Sequence, residues 1–84
     1  MSFYVYMLKS LTKNKKKLTY VGYTNNLLKR IKLHNLGKGA KFTRGRKWKL
    51  IYKEKYDTKN KAISREYYIK NNRVLRNYIK NNNK

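Results

Sequence analysis

Between Tyr20 and His34 the sequence switches from one periodicity to another, and that switch constrains the fold more than any other feature. Thr19, Tyr20, Val21, Tyr23 and Thr24 are aromatic or β-branched, which suits a pleated strand. Gly22 interrupts them, and a glycine inside a strand marks a place where something approaches the backbone closely. Thr24, Asn25 and Asn26 are favoured helix N-caps, and an apolar helical pattern starts at Leu27. On that helix Leu27 and Ile31 share one face, while Arg30 and His34, also four apart, stack on an adjacent one. A tyrosine, a strand glycine, an arginine and the chain's one histidine can therefore gather at one place.

The rest of the chain supplies partners for that unit. Phe3 to Leu8 reads as a first strand, with Tyr4, Tyr6 and Leu8 on one face and Phe3, Val5 and Met7 on the other. Both faces are apolar or aromatic, so this strand belongs in the middle of a sheet. Lys9 to Lys17 is a cationic hairpin connection, expected to be mobile, and Leu18 to Thr24 returns antiparallel. The first helix runs to about Leu36, with Gly37 placed as its C-cap. Gly37 to Lys47 is a loop whose small residues would let a phosphate backbone approach. Trp48 to Tyr56 is a third strand, with Leu50, Tyr52, Glu54 and Tyr56 expected on one face. A second helix covers about Lys59 to Asn71, with Ala62, Ile63, Tyr67 and Ile69 inward, and a third covers Val74 to Ile79 before a fraying tail. The order β-β-α-β-α-α predicts an α+β fold: a small three-stranded antiparallel sheet flanked by helices. Residues 1–84 read as a single domain, with the core at about 3–70 and a C-terminal helix and tail at 73–84.

Composition then narrows the chemistry. With 84 residues the core is thin, and without cysteine there is no disulfide framework or thiolate metal site. The longest apolar run, Phe3 to Leu8, is too short for a membrane span or a signal-peptide core, which points to an intracellular protein and no membrane partner. Twenty-four Lys and Arg against three acids give a net charge of +21. Such self-repulsion is relieved by a polyanion, and nucleic acid is the natural one. A non-catalytic basic binding module would have the same balance. Phe42 and Trp48 add flat rings among the loop cations, suited either to nucleic acid or to anchoring the loop on the core.

The three acids differ in setting. Asp57 sits at a strand end as a turn or cap residue, and Glu54, between Lys53 and Lys55, reads as solvated or locally paired. Glu66 has Ala62, Ile63 and Ile69 on its helix face, so its carboxylate lies at the edge of the core and needs a cation or a metal. Lys70, four residues on, is one candidate partner. One histidine and no acid pair cannot make an ordinary zinc site. A single carboxylate completed by water and substrate phosphate suits Mg²⁺. Tyr6 and Tyr20 can meet across the first hairpin. A phenol beside a guanidinium is expected to have its pKa lowered from about 10, so such a tyrosine could take a proton from water or attack directly.

Tyr4-Val5-Tyr6, then Tyr20-Val21-Gly22, then Arg30, His34 and Glu66 in that order resemble the GIY-YIG nuclease domain, above all its small stand-alone bacterial members. The likeness extends through Thr24, Asn26-Leu27, Asn35, Gly37-Lys38-Gly39-Ala40, Thr43-Arg44-Gly45, Ala62 and Ile69-Lys70. The first signature here is Tyr-Val-Tyr and lacks the glycine of the family name. The extra DNA-targeting domain that many family nucleases carry is not expected in this chain. Site preference would then come from the module itself, a partner protein or DNA shape.

The resemblance implies a divalent-metal-dependent DNA endonuclease, with branched or damaged DNA and repair or recombination among its settings. It implies Tyr6 as general base with Tyr20 beside it, and Arg30 on the scissile phosphate. It implies His34 in proton handling or in orienting Tyr6, and Glu66 holding one Mg²⁺ or Mn²⁺. Gly22, Lys38, Lys41, Arg44, Arg46 and Lys70 are the expected nucleic-acid contacts. The compartment would be the cytoplasm of a bacterium, or otherwise a nucleus, virus factory or organelle. Oligomeric state is left open.

Overall fold

The computed structural model describes residues 2–11 and 18–82. Three strands, β1 (Phe3–Ser10), β2 (Thr19–Thr24) and β3 (Trp48–Tyr56), form an antiparallel sheet in the order β2-β1-β3. Three helices follow the expected order: α1 (Leu27–Asn35), α2 (Lys59–Lys70) and α3 (Arg73–Asn81). A 3-10 turn at Lys41–Thr43 lies in the loop between α1 and β3. The fold is α+β, and β1 is central, as its two apolar faces require. β1 runs two residues beyond the expected Leu8, through Lys9 and Ser10, because Ser10 closes the hairpin base. Its N–H donates to Leu18 O at 2.9 Å, and its hydroxyl accepts from Leu18 N at 3.0 Å. The rest of the connection, residues 12–17, and the end of the tail, residues 83–84, lie outside the described residues.

The two sheet faces bury different clusters. On one, Val5, Met7, Val21, Ile51, Ala62, Ile69 and Ile79 pack under α2 and α3. The core thus reaches Ile79, beyond the expected limit near residue 70. On the other, Tyr6, Leu8 and Trp48 pack with Leu27 and Ile31 of α1. The β3 face was expected to carry Leu50 together with Tyr52, Glu54 and Tyr56. The register instead shifts between Met7 and Leu8: Met7 pairs with Tyr52 and Leu8 with Leu50, leaving Ile51 as the extra residue. A bulge of this kind moves Leu50 to the α1 side. Ile63 and Tyr67 of α2 point outward, contrary to expectation, because Ala62 and Ile69 already fill the inner stripe.

The helix ends are local inventions of the sequence. The Asn26 side chain accepts from Lys29 N at 3.2 Å, and Thr58 and Asn72 cap α2 and α3 in the same way. Past the end of α1, Gly37 takes φ +79°, its N–H reaches His34 O, and Lys38 N reaches Leu33 O at 2.8 Å. That paired closure turns the chain back sharply over His34. Asn35 then acts as a short strand: its carboxamide accepts from Trp48 N at 2.7 Å and donates to Trp48 O at 3.2 Å, tying α1 to β3. No helix among the described residues is long and apolar enough to cross a membrane.

Candidate active site

A cleft of about 380 Å³ straddles the edge strand β2. Tyr6, Tyr20 and Gly22 reach it from the α1 face of the sheet, Phe3 and Tyr23 from the other, Arg30 from α1 and Glu66 from α2. Four of the five expected catalytic side chains therefore line one hollow. The fifth, His34, stands behind it, fully buried and bonded to Tyr6. The convergence lies over the edge strand β2.

Gly22 makes this geometry possible. It pairs with Tyr6 across the hairpin, and a Cβ on it would lie 2.6 Å from Tyr6 Oη and 2.8 Å from Cζ. The close approach signalled by a strand glycine is the neighbouring phenol. Gly22 also lines the cleft beside it. Gly39 serves His34 in the same way, since a Cβ there would lie 2.6 Å from His34 Cγ. The small loop residues were expected to admit a phosphate backbone, but at Gly39 the space is taken by an imidazole.

The proton positions follow from the bonding pattern. The Thr43 hydroxyl donates its one hydrogen to Ala40 O at 3.0 Å. At its 2.9 Å contact with His34 Nδ1 it must therefore accept, which places the imidazole hydrogen on Nδ1. Nε2 is then a bare acceptor, and Tyr6 Oη, 2.8 Å away, donates to it. Burial, with Arg30 nearby, holds the His34 pKa below its ordinary value, so the ring is neutral. The Tyr6 phenol was expected to be acidified by Arg30. Burial and the neighbouring Tyr20 instead push its pKa up, and the opposing effect of Arg30 is smaller. Tyr6 is thus a protonated phenol whose proton has a ready acceptor. Tyr20 packs against the same imidazole with its ring tilted by 57°, at 4.9 Å between ring centroids.

Glu66 is the one carboxylate lining the cleft, and its side chain is 17% exposed. Its contact with Lys70 Nζ is long, 3.7 Å, so the expected i,i+4 pair exists but is loose. Among the described residues no three His, Cys, Asp or Glu side chains cluster as a metal cage. A single sheltered carboxylate with open space before it fits a hard cation that keeps most of its water, the habit of Mg²⁺. Glu54, by contrast, is fully engaged. Arg65 donates to it through Nε at 2.9 Å and Nη2 at 3.0 Å, Tyr56 donates at 2.6 Å, and Tyr52 donates as well. Burial alone would raise its pKa, but these donors outweigh burial and hold it below the usual value. The third acid, Asp57, is paired with Lys61 at 3.2 Å in full solvent.

The expected nucleic-acid contacts divide into groups. Gly22 lies in the cleft, and Lys70 lies on a groove beside it. Lys38, Lys41 and Arg44 are exposed on the loop after α1, and Arg46 lines a separate hollow with Gly37 and Gly45. Trp48 is buried, with Nε1 donating to Thr43 O at 2.9 Å, so it anchors the loop, whereas Phe42 remains 54% exposed. Sequence reasoning gave no role to Lys59, which brings a further cation to the cleft, or to the Thr43 hydroxyl. The motif had flagged Thr43, but its bonding is visible only in three dimensions.

A strand tyrosine backed by a histidine, an arginine and a lone acid thus gather around one cationic cleft. The GIY-YIG catalytic domain model matches residues 2–81, and the chain belongs to that family. It is similar to small bacterial proteins that carry the UPF0213 name. It shares 57% identity over 68 residues with UPF0213 protein CPE1444 of Clostridium perfringens, covering 80% of this chain and 69% of that protein. With UPF0213 protein YazA of Bacillus subtilis it shares 54% over 52 residues, 61% of this chain and 52% of that one. Against that Bacillus relative the chain therefore aligns over about half the length. The solution NMR structure of UPF0213 protein BH0048 from Bacillus halodurans superposes with a TM-score of 0.53 at 37% identity, covering 94% of this chain and 82% of that one. Membership in a nuclease family implies DNA as the substrate class.

Proposed function

We propose that this protein is a divalent-metal-dependent endonuclease that hydrolyses DNA phosphodiesters. The observation that carries the reading is the directed chain from Tyr6 Oη through His34 to Thr43 and Ala40 O, which opens at its other end into the cleft of Arg30 and Glu66. Water placed at Tyr6 gives a proton to Oη as the phenol passes its own to His34 Nε2, and the water oxygen forms a bond to phosphorus. The bond from phosphorus to the leaving sugar oxygen breaks, and that oxygen takes up a proton from solvent in the open cleft, leaving a phosphate monoester and an alcohol; His34 later returns its extra proton through Tyr6 to solvent. Arg30 meets the charge that grows on the phosphate oxygens. Tyr20 confines the imidazole and the phenol to one geometry. Glu66 would hold the Mg²⁺ or Mn²⁺, whose Lewis acidity would offset charge on the leaving oxygen. Lys70 and the cations of the loop after α1 would hold flanking phosphates.

The test is incubation with single-stranded, duplex and branched DNA, in Mg²⁺, in Mn²⁺ and in EDTA. Tyr6→Phe should lose about 10²–10⁴-fold in cutting rate while keeping DNA binding, as removal of a proton-transfer group does. Equal cutting by wild type and Tyr6→Phe would defeat the proposal. Binding with no cutting on any of these substrates would leave only a basic binding module.

A further inference from the structure

Tyr20 lines a second hollow as well as the first. This groove, of about 210 Å³, also crosses the edge of β2, and its other walls are Thr19, Val21, Phe42, Lys70 and Arg76. Phe42 has one ring face against Tyr20, at 25° and 6.3 Å, and is tilted against Trp48 at 6.2 Å. Two aromatic neighbours thus hold the ring in place, yet more than half of Phe42 stays in solvent. Anchoring the loop does not require that exposure, since buried Trp48 already ties it down through Thr43. Across the groove Arg76 uses Nη1 to bind Ile69 O, at 3.1 Å, and Lys70 O, which sets its guanidinium at the C-terminal end of α2. Lys70 stands between the two hollows, its ammonium 3.7 Å from Glu66.

We propose that this groove is a subsite for one unpaired nucleotide next to the scissile phosphate, with its base laid on Phe42 and its phosphate held by Lys70 and Arg76. The inference rests on reading the neighbouring cleft as the hydrolytic site, and it specifies the form of DNA that site takes. A held aromatic ring that stays more than half in solvent offers stacking to any base, with little dependence on base identity. Paired bases keep their faces covered by their neighbours in the duplex, so only a strand that is single, frayed or flipped can use the ring. Two cations beside an apolar floor match the phosphate and base of one nucleotide. Such a nucleotide would bring the adjoining phosphodiester past Tyr20 toward Tyr6.

The test measures binding with the metal chelated, so that cutting is not needed for the readout. A single-stranded oligonucleotide carrying 2-aminopurine and a blunt duplex of the same sequence are titrated against wild type, Phe42→Ala, Phe42→Leu and Phe42→Tyr. Wild type should bind the single strand and quench the 2-aminopurine. Phe42→Ala should weaken single-strand binding about tenfold, the lower half of the range for one base–aromatic stack, and change duplex binding less than about twofold. Phe42→Leu keeps an apolar anchor and should lose the quenching all the same, while Phe42→Tyr should restore it. Lys70→Gln should lower the slope of log K against log salt by about 0.7 on single strands, one phosphate contact. Unquenched 2-aminopurine in wild type, equal losses on both DNA forms, or full quenching in Phe42→Leu would each overturn the subsite. Quenched binding by a protein that cuts nothing would count against hydrolysis and for the groove. Cutting that ignores Phe42→Ala would do the reverse.

Discussion

Glu54 and Glu66 have equally sheltered side chains, each 17% exposed, and the protein treats them in opposite ways. Glu54 receives a guanidinium fork and two phenols, four donors on two oxygens. Among the described residues Glu66 pairs only with Lys70, at 3.7 Å, and it faces a cleft. Shelter alone therefore does not distinguish a structural carboxylate from a working one. The count of donors does, because a carboxylate whose lone pairs are filled has nothing left for a ligand, while an equally sheltered one with a loose ion pair is still owed partners. The net charge of +21 sharpens the point: with 24 cations available, leaving one acid so loosely matched is a selective placement.

The largest expected effect tests the loose member of the pair. Glu66→Gln should lower metal-dependent cutting at least about a hundredfold, since a Lewis-acid contribution of several kcal/mol is at stake. Its thermal stability should move by no more than about 0.5 kcal/mol, the value of a loose i,i+4 helix pair. Cleavage rates and melting curves on the same preparation decide it. A large fall in melting temperature with an unchanged rate would make Glu66 a structural residue like Glu54.

The mirror experiment is Glu54→Gln. One Arg65 nitrogen and one phenol lose their acceptor, the other two donors keep only a neutral one, and the link between β3 and α2 weakens. The expected cost is about 2 kcal/mol, less than for a fully buried pair because Arg65 is 35% exposed. In a domain of this size that is roughly a 10 °C fall in melting temperature. Cutting measured well below the new melting point should stay within about threefold of wild type, since variation away from the reacting atoms acts through stability. A hundredfold loss there would erase the distinction between the two acids.

How far each acid could be read from the sequence follows from where its partners come from. Ala62, Ile63 and Ile69 on its own helix set Glu66 at the core edge, and its lysine is four residues away, so its setting is legible even though Ile63 itself turns outward. That of Glu54 is not, because Arg65 arrives from another element, eleven positions on. The bulge at Ile51 was equally hidden: Leu50, Ile51 and Tyr52 are all apolar, and such a run carries no mark of which residue is extra. Phe42 and Trp48 look alike as residue types, and only packing sends one inward and leaves the other out. The phenol of Tyr6 departs from the sequence expectation for a related reason. Its charged neighbour could be inferred from the motif, but its burial, the stronger influence, is a property of the assembled fold.

The chain Tyr6–His34–Thr43 is the case that could break the comparison, because it is as fully bonded as Glu54 and yet is assigned to the reaction. What separates it is that its bonds can pass a proton, whereas those around Glu54 only share one charge. Thr43→Val keeps the shape and removes the acceptor that fixes hydrogen on His34 Nδ1. The imidazolium formed during the reaction then lacks a partner, and a tenfold slower rate is expected, about 1.4 kcal/mol for one lost hydrogen bond. The cutting rate of wild type should fall on the acid side at a pH below 6.5, where the depressed His34 pKa lies. In Thr43→Val that fall should move lower still, because the doubly protonated ring has lost an acceptor, and Thr43→Ser should restore both rate and profile. Stability has the same sign: the unfolded chain binds a proton at His34 more readily than the folded one. Folded stability should therefore decline as the pH drops below about 6.5 and level off under the folded pKa. A valine variant with a lower melting temperature but an unmoved pH profile would make Thr43 a packing residue and return His34 to the same class as Glu54.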